Sequence, residues 1–168
     1  MTSAERARRA SVLRRTVARV VFVDDDDAVL LLSGRDPSVA GAPEFWFIPG
    51  GGAEPGESLE AAAAREVYEE VGHRVDRLGP VVWERSSTFD FDGITFAQEE
   101  SFFVVRTTRF EARRVAWTDF EARSVTGWRW WPVVELLRAG LVVYPSRLGA
   151  LVDEWLHNGP RDHPARIE

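Results

Sequence analysis

Residues 65–70 read Arg-Glu-Val-Tyr-Glu-Glu, at the end of an alanine-rich run fenced by Gly51 and Gly72. On a helix, Glu69 and Glu70 project about 60° to one side and about 40° to the other of Glu66, so three carboxylates share an arc of about 100°. Arg65 stands four residues before Glu69 and can pair with it, which neutralises one charge and leaves the others repelling. A cation relieves that repulsion. Carboxylate oxygens in this number suit a hard divalent ion, Mg²⁺ or Mn²⁺, which binds a few carboxylates, keeps some water and takes its remaining ligands from substrate phosphates. A glutamate-rich helical face is, taken alone, usually solvated surface, so the elements around it decide.

Those elements are readable. Ser58 is a suitable N-cap and Gly72 occupies the position past the last turn that glycine favours, which predicts a helix over 58–71. Leu59, Ala63, Val67 and Val71 recur every fourth residue as its core stripe, and the alanines allow close approach to a sheet. Before it, the run 16–36 reads as two apolar, β-branched-rich strands around an acidic turn, Asp24 to Asp27, the kind of turn that is a solvated loop tip. Residues 45–48 form a short strand stopped by Pro49, and Gly50, Gly51 and Gly52 follow with the conformational freedom of glycine. After the helix come strands over 81–88 and 101–106 joined through Asp92-Gly93, a strand over 127–131, and short helices over 133–138 and 146–157. This mixture predicts an α+β fold, an α/β/α sandwich with a mixed sheet between helices.

Composition bounds the rest. The chain has 168 residues, 45% of them apolar, enough for one domain with a proper core. We expect a flexible basic tail over 1–15, a single domain over 16–160 and a C-terminal tail over 161–168. A net charge of −6 argues against wrapping a nucleic acid backbone, which takes clustered positive charge. There is no cysteine, so disulfides, thiolate metal sites and a cysteine nucleophile are excluded. The basic N-terminus has no apolar segment of a secretory signal and no run of about 18 apolar residues occurs, so the expectation is a soluble, cytoplasmic protein that binds no membrane.

Written out by position, Gly51, five residues, Glu57, seven residues, Arg65-Glu66, an aliphatic Val67, any residue, Glu69-Glu70, any residue and Gly72 resembles the Nudix box. The lead-in WFIPGG resembles the family's as well, and the one departure is His73 at the final aliphatic position, a place for packing rather than chemistry. The resemblance implies a Nudix fold over roughly residues 16–157. It also implies divalent-metal-dependent hydrolysis of a nucleoside diphosphate linked to another group. Carried over by position, Glu66, Glu69 and Glu70 become metal ligands together with the Gly51 carbonyl, and Glu57 and Arg65 become the pair that orients them. A general base from a later strand or loop is common in the family, and AQEESFF offers Glu99 and Glu100. Strand alternation puts Glu100 on the face of Phe102 and Glu99 on the face of Ser101 and Phe103. The resemblance favours Glu100.

For the substrate, Arg35 at the end of the second strand is a candidate phosphate clamp, and Trp46, Phe89 and Phe91 are candidates for stacking on a base. The region SSTFDFDG lacks the proline of ADP-ribose-cleaving relatives and the tyrosine of dinucleoside polyphosphate hydrolases. By elimination the working substrate is a nucleoside or deoxynucleoside triphosphate, giving a monophosphate and pyrophosphate. Two alternatives are a hydrolase of a nucleotide sugar such as ADP-ribose and a non-catalytic, nucleotide-sensing Nudix domain. The partner is thus a small nucleotide and not nucleic acid, and a homodimer is compatible with it. An isopentenyl diphosphate isomerase of this fold relies on a cysteine that is missing here.

Overall fold

Two hydrophobic clusters lie on opposite faces of a nine-stranded mixed sheet. The structure, a computed structural model, describes residues 12–138 and 140–168. Its elements run β1 (Leu13–Val23), β2 (Ala28–Gly34), β3 (Phe45–Phe47), β4 (Gly50–Gly52), α1 (Leu59–Val71), β5 (Trp83–Phe91), β6 (Ile94–Arg106) and α2 (Asp119–Ser124). There follow β7 (Val125–Pro132), α3 (Val133–Arg138), β8 (Val143–Tyr144), α4 (Leu148–Asn158) and β9 (Ala165–Arg166). Alternation along β1 sends Ala18, Val20 and Phe22 to one face, where Ala62, Ala63, Val67 and Val71 of α1 cover them. It sends Val21 and Val23 to the other, where they meet Phe102, Trp131 and the α4 residues Leu148 and Val152. The layers are therefore α/β/α, as the sequence predicts.

The sheet order is β8-β3-β2-β1-β6-β5-β9, with β4 on β1 and β7 on β2 off that path. β1 and β6 pair in parallel along the whole of β1, from Leu13 opposite Phe96 to Val23 opposite Arg106. β1 and β2 are paired in register at Val23 and Val29, and β4 takes the edge of β1 that β2 leaves open. The Asp92-Gly93 dipeptide forms a two-residue hairpin turn with φ of 49° and 74°, and β5 and β6 extend up to it on both sides.

Three readings change. The glycine stretch, read only as conformationally free, is a strand, β4, because it pairs antiparallel with Val17, Ala18 and Arg19 of β1. The N-terminal boundary moves: Leu13, Arg14 and Arg15 already pair with β6, while residues 1–11 lie outside the described residues. The C-terminal segment is also not a tail. The Ala165 and Ile167 N–H groups donate to the Val82 and Glu84 carbonyls, closing the open edge of β5. Among the described residues no helix is long and apolar enough to cross a membrane.

Candidate active site

The carboxylate-bearing helix is fixed at both ends. The Ser58 hydroxyl accepts from the Ala61 N–H at 3.1 Å, and Gly72 takes the left-handed conformation, φ 72°, while its N–H donates to the Tyr68 carbonyl. Its last turn is then wrapped by the chain that follows β6. The Glu69 carbonyl accepts from the Val115 and Ala116 N–H groups, the Val71 carbonyl from Arg113 N–H, and the Glu70 carbonyl from the Trp117 indole at 2.9 Å. The carbonyls that a helix end leaves unpaired are thereby satisfied. The same wrap delivers α2 to the carboxylates of α1.

Arg65 is the hub. Its Nε and Nη2 grip the two oxygens of Glu57 at 2.9 and 2.8 Å, Nη2 also donates to the Gly52 carbonyl at 3.0 Å, and Nη1 reaches Glu66 at 2.8 Å and Glu69 at 3.4 Å. The fork pins loop, strand and helix to one planar group. The Arg65 contact and the Glu54 N–H hold the Glu57 carboxyl down at about 2, and Arg65 itself is pushed up by Glu57. Glu57 and Arg65 thus meet as the box spacing implies.

Glu70 is buried at 4% exposure, and its Oε2 accepts from the Gly50 N–H at 2.8 Å. Burial pushes its carboxyl up to about 8, against the pull of that N–H and of the Arg19 charge. Burial likewise raises Glu66, against its Arg65 contact, and Glu69 and Glu121 add repulsion. Glu121 repels Glu70 too. It opens α2 in a capping box, where its Oε2 accepts from the Thr118 N–H at 2.6 Å and the Thr118 hydroxyl at 2.9 Å. The signal Thr-x-x-Glu at 118–121 was open to sequence reading, but nothing local tied it to a helix fifty residues earlier.

These residues fit a divalent ion. A buried carboxylate with one hydrogen bond and carboxylate neighbours is stabilised by a cation. Gly51 is the cradle: a Cβ there would stand 2.4 Å from the Glu66 Cδ. Among the described residues no three acidic or histidine side chains form a ready-made ligand cluster, since Glu66 and Glu69 lean on Arg65 and Glu70 on Gly50. The carbonyl assignment shifts by one residue. Val20 donates to the Pro49 carbonyl and Ala53 to the Thr16 carbonyl, and Ala18 pairs with Gly51 between them, so the Gly51 carbonyl turns into the ladder. The neighbours Gly50 and Gly52 face the outer edge, where Glu70 and Arg65 meet them. Gly50, rather than Gly51, presents its carbonyl to the carboxylates.

Glu100 is also corrected as a catalytic base. It lies on the Phe102 face as alternation predicts, but its side chain is fully buried between Arg19 at 2.9 Å and Arg85 at 2.6 Å, with Ser87 at 3.2 Å. Burial pushes its carboxyl up, yet Arg19 and Arg85 outweigh that and hold it below the ordinary range. Both oxygens are committed, so neither is available to a water. Glu99 is exposed and accepts from Ser86. Trp46 is partly buried and packs edge-on against Trp131 at 5.0 Å, against the cluster that holds Leu148 and Val152 of α4. Phe89 is 38% exposed on Phe96, and Phe91 lies edge-on to Phe45 and Phe120. Arg35 is exposed at the end of β2, 3.3 Å from the Ala42 carbonyl. His73 stacks on Phe110 at 3.9 Å and lies edge-on to Phe22, a packing role. A cavity of about 690 Å³ opens beside Glu57, with Arg15, Ser87 and Gln98 in its wall.

Comparison with known proteins gives a coherent result. The NUDIX domain model matches residues 13–149. Diphosphoinositol polyphosphate phosphohydrolase 2 of Rattus norvegicus is 49% identical over 49 residues, 29% of this chain and 25% of that protein. The match therefore spans about a quarter of that relative's length. Among solved structures, the MutT protein of Methanosarcina mazei Go1 superposes with a TM-score of 0.62 at 17% identity, covering 90% of this chain and 99% of that one. The NUDIX domain of Shewanella oneidensis NrtR, solved with ADP ribose, gives 0.61 at 19% identity, covering 93% and 99%. At such identities the likeness is one of fold.

Proposed function

Because the chain belongs to the NUDIX domain family, we propose that it is a pyrophosphohydrolase that depends on Mg²⁺ or Mn²⁺ and cleaves a nucleoside diphosphate linked to a further group. The observation that carries this reading is the clasp of Arg65 on Glu57, Glu66, Glu69 and the Gly52 carbonyl, which holds a carboxylate row against the edge of β4. Glu66, Glu69, Glu70 and the Gly50 carbonyl would hold the divalent ion. When bound, such an ion neutralises phosphate charge and makes water a better nucleophile near neutral pH.

The chain's own groups supply the rest. Arg65 orients Glu66 and Glu69 and keeps them from repelling one another apart. Glu57, held ionised by Arg65, fixes the guanidinium and touches no substrate. Glu121 replaces Glu100 as the proton acceptor for the attacking water. Only its Oε2 is engaged in the cap, and it stands close enough to Glu66 and Glu70 to raise both. The working substrate is a nucleoside or deoxynucleoside triphosphate, yielding a monophosphate and pyrophosphate. Phe89 and Phe91, rather than Trp46, are the aromatics offered to a base, and Arg35 is a candidate clamp on a phosphate. A cytoplasmic location belongs to the same reading.

The test is a substrate panel with Mg²⁺ or Mn²⁺, covering nucleoside triphosphates, ADP-ribose, dinucleoside polyphosphates and a diphosphoinositol polyphosphate. Hydrolysis in ¹⁸O-water with mass spectrometry of the products locates the phosphorus attacked. Higher kcat/KM for ADP-ribose or the inositol compound would replace the triphosphate and keep the hydrolase. No turnover of any anhydride, with binding retained, would make the domain a sensor.

A further inference from the structure

On the sheet face that carries Glu100, register places Arg15 opposite Gln98, Arg19 opposite Phe102 and Arg85 opposite Glu100. Arg19 and Arg85 share the single carboxylate of Glu100, while the Arg15 Nε donates at 2.7 Å to the neutral amide of Gln98. Three guanidiniums therefore gather around Glu100, and the Glu66 and Glu70 carboxylates of α1 also act on Arg15. All three are largely shielded: Arg19 and Arg85 side chains are 13% and 11% exposed, and Arg15 lies 4.6 Å over the Phe96 ring. Burial and the Arg19 charge push the Arg15 guanidinium down to about 10. A partly buried guanidinium with donors to spare favours an anionic acceptor.

The cluster adjoins the candidate active site. The Arg15 Cδ would lie 3.9 Å from a Cβ on Gly52, and the Arg19 Nη1 donates at 2.9 Å to the carbonyl of Ile48, two residues before Gly50. Arg15, Ser87 and Gln98 also open onto the 690 Å³ cavity beside Glu57.

We propose that Arg15, backed by the Arg19–Glu100–Arg85 triad, with the Gln98 amide as a neutral donor, is an oxyanion subsite that takes a phosphate of the substrate outside the linkage being cleaved. Guanidinium forks suit phosphate oxygens, and partial desolvation strengthens each contact. Arg19 and Arg85 are positioning residues, because Glu100 occupies their donors. The site thus favours substrates with a phosphate beyond the reacting pair. This rests on the hydrolase reading for its purpose, although the anion site exists without turnover.

Inorganic tripolyphosphate titrated calorimetrically in EDTA tests it, because without divalent ions the α1 carboxylates repel the probe and only a cationic site can hold it. Wild-type protein should bind one equivalent. Arg15→Gln should weaken binding about 10- to 100-fold, the value of a charge-assisted hydrogen bond, and Arg15→Lys should restore part of it. Arg77→Gln, the same charge change in the exposed loop between α1 and β5, should have no effect. Circular dichroism checks the fold of each variant. If Arg15→Gln does not fold, the comparison passes to Arg15→Lys, which keeps charge but loses the fork and should bind several-fold more weakly. No binding by wild type, or equal weakening by Arg15→Gln and Arg77→Gln, overturns the subsite. Metal-free binding with no hydrolysis of any anhydride would leave it standing and remove the hydrolase.

Discussion

Gly51→Ala separates the chemistry of the carboxylate row from the stability of the fold. The added Cβ would stand 2.4, 2.5 and 2.7 Å from the Glu66 Cδ, Oε2 and Oε1. Ordinary contact begins near 3.4 Å, so the carboxylate must retreat by about 1 Å. What moves is the far end of a side chain, not backbone, and the loss is chiefly the 2.8 Å contact with Arg65, itself partly exposed. Such a pair contributes up to about 1 kcal/mol, which lowers Tm by roughly 2–4 °C in a domain of this size. Activity should suffer far more, since a misplacement of about 1 Å in a positioned group can cost about 100-fold. Gly50→Ala provides the contrast: its Cβ would meet the Ala18 carbonyl oxygen at 2.1 Å and φ is 141°, so β4 itself must give way. The assay is kcat at saturating Mg²⁺ beside calorimetric Tm, repeated in a Glu66→Ala background where Gly51→Ala should do no further harm. A Gly51→Ala variant with wild-type kcat, or one that unfolds as readily as Gly50→Ala, refutes the placement of Glu66.

Glu70→Gln keeps the size and the Gly50 contact but removes a charged ligand, so turnover should fall by about 100-fold or more while Mg²⁺ titration shows weaker binding and circular dichroism an unchanged fold. Asp24 is opposed by its own burial, but the Ala28 N–H, Arg109 and the Asp26 N–H more than offset this and hold its carboxyl below the ordinary value. A depressed carboxyl stabilises the fold above its unfolded value and loses that contribution as pH falls through the folded one. Asp24→Asn should therefore cost about 1 kcal/mol near neutral pH, and the gap from wild type should narrow below about pH 4 in Tm measured against pH. Ser58→Ala removes the cap on Ala61 and should cost about 1 kcal/mol by urea unfolding, with little change in KM.

Signals carried by neighbours in sequence were legible. Ser58, the Leu59-to-Val71 stripe and Gly72 gave α1 its bounds, and Asp92-Gly93 marked the tip of the β5–β6 hairpin. What depended on distant partners was not. Three glycines carry no side-chain pattern, so β4 is visible only through its pairing with β1 and the reach of Glu70 and Arg65 to its outer edge. The alternation placed Glu100 on its face correctly, yet its meaning depends on Arg19, 81 residues away, and on Arg85 across the hairpin. Trp46 reads as exposed as easily as buried until Trp131 is set beside it. Glu121 sits in a helix of six residues, too short for any periodicity to announce.

The parallel ladder between β1 and β6 also dictates when the site can come into being. Its partners are about 83 residues apart, as with Leu13 and Phe96, so β1 leaves the ribosome long before the strand that holds it exists. α1 can curl up early as a local structure, but its carboxylates then face one another with neither β4 docked on β1 nor α2 in place. Long-range closure of this kind is slow because the loop entropy is spent before any contact repays it. Half-made chains should therefore carry an exposed β1 edge, and a truncation before β6 should bind chaperones or aggregate rather than yield a smaller folded domain.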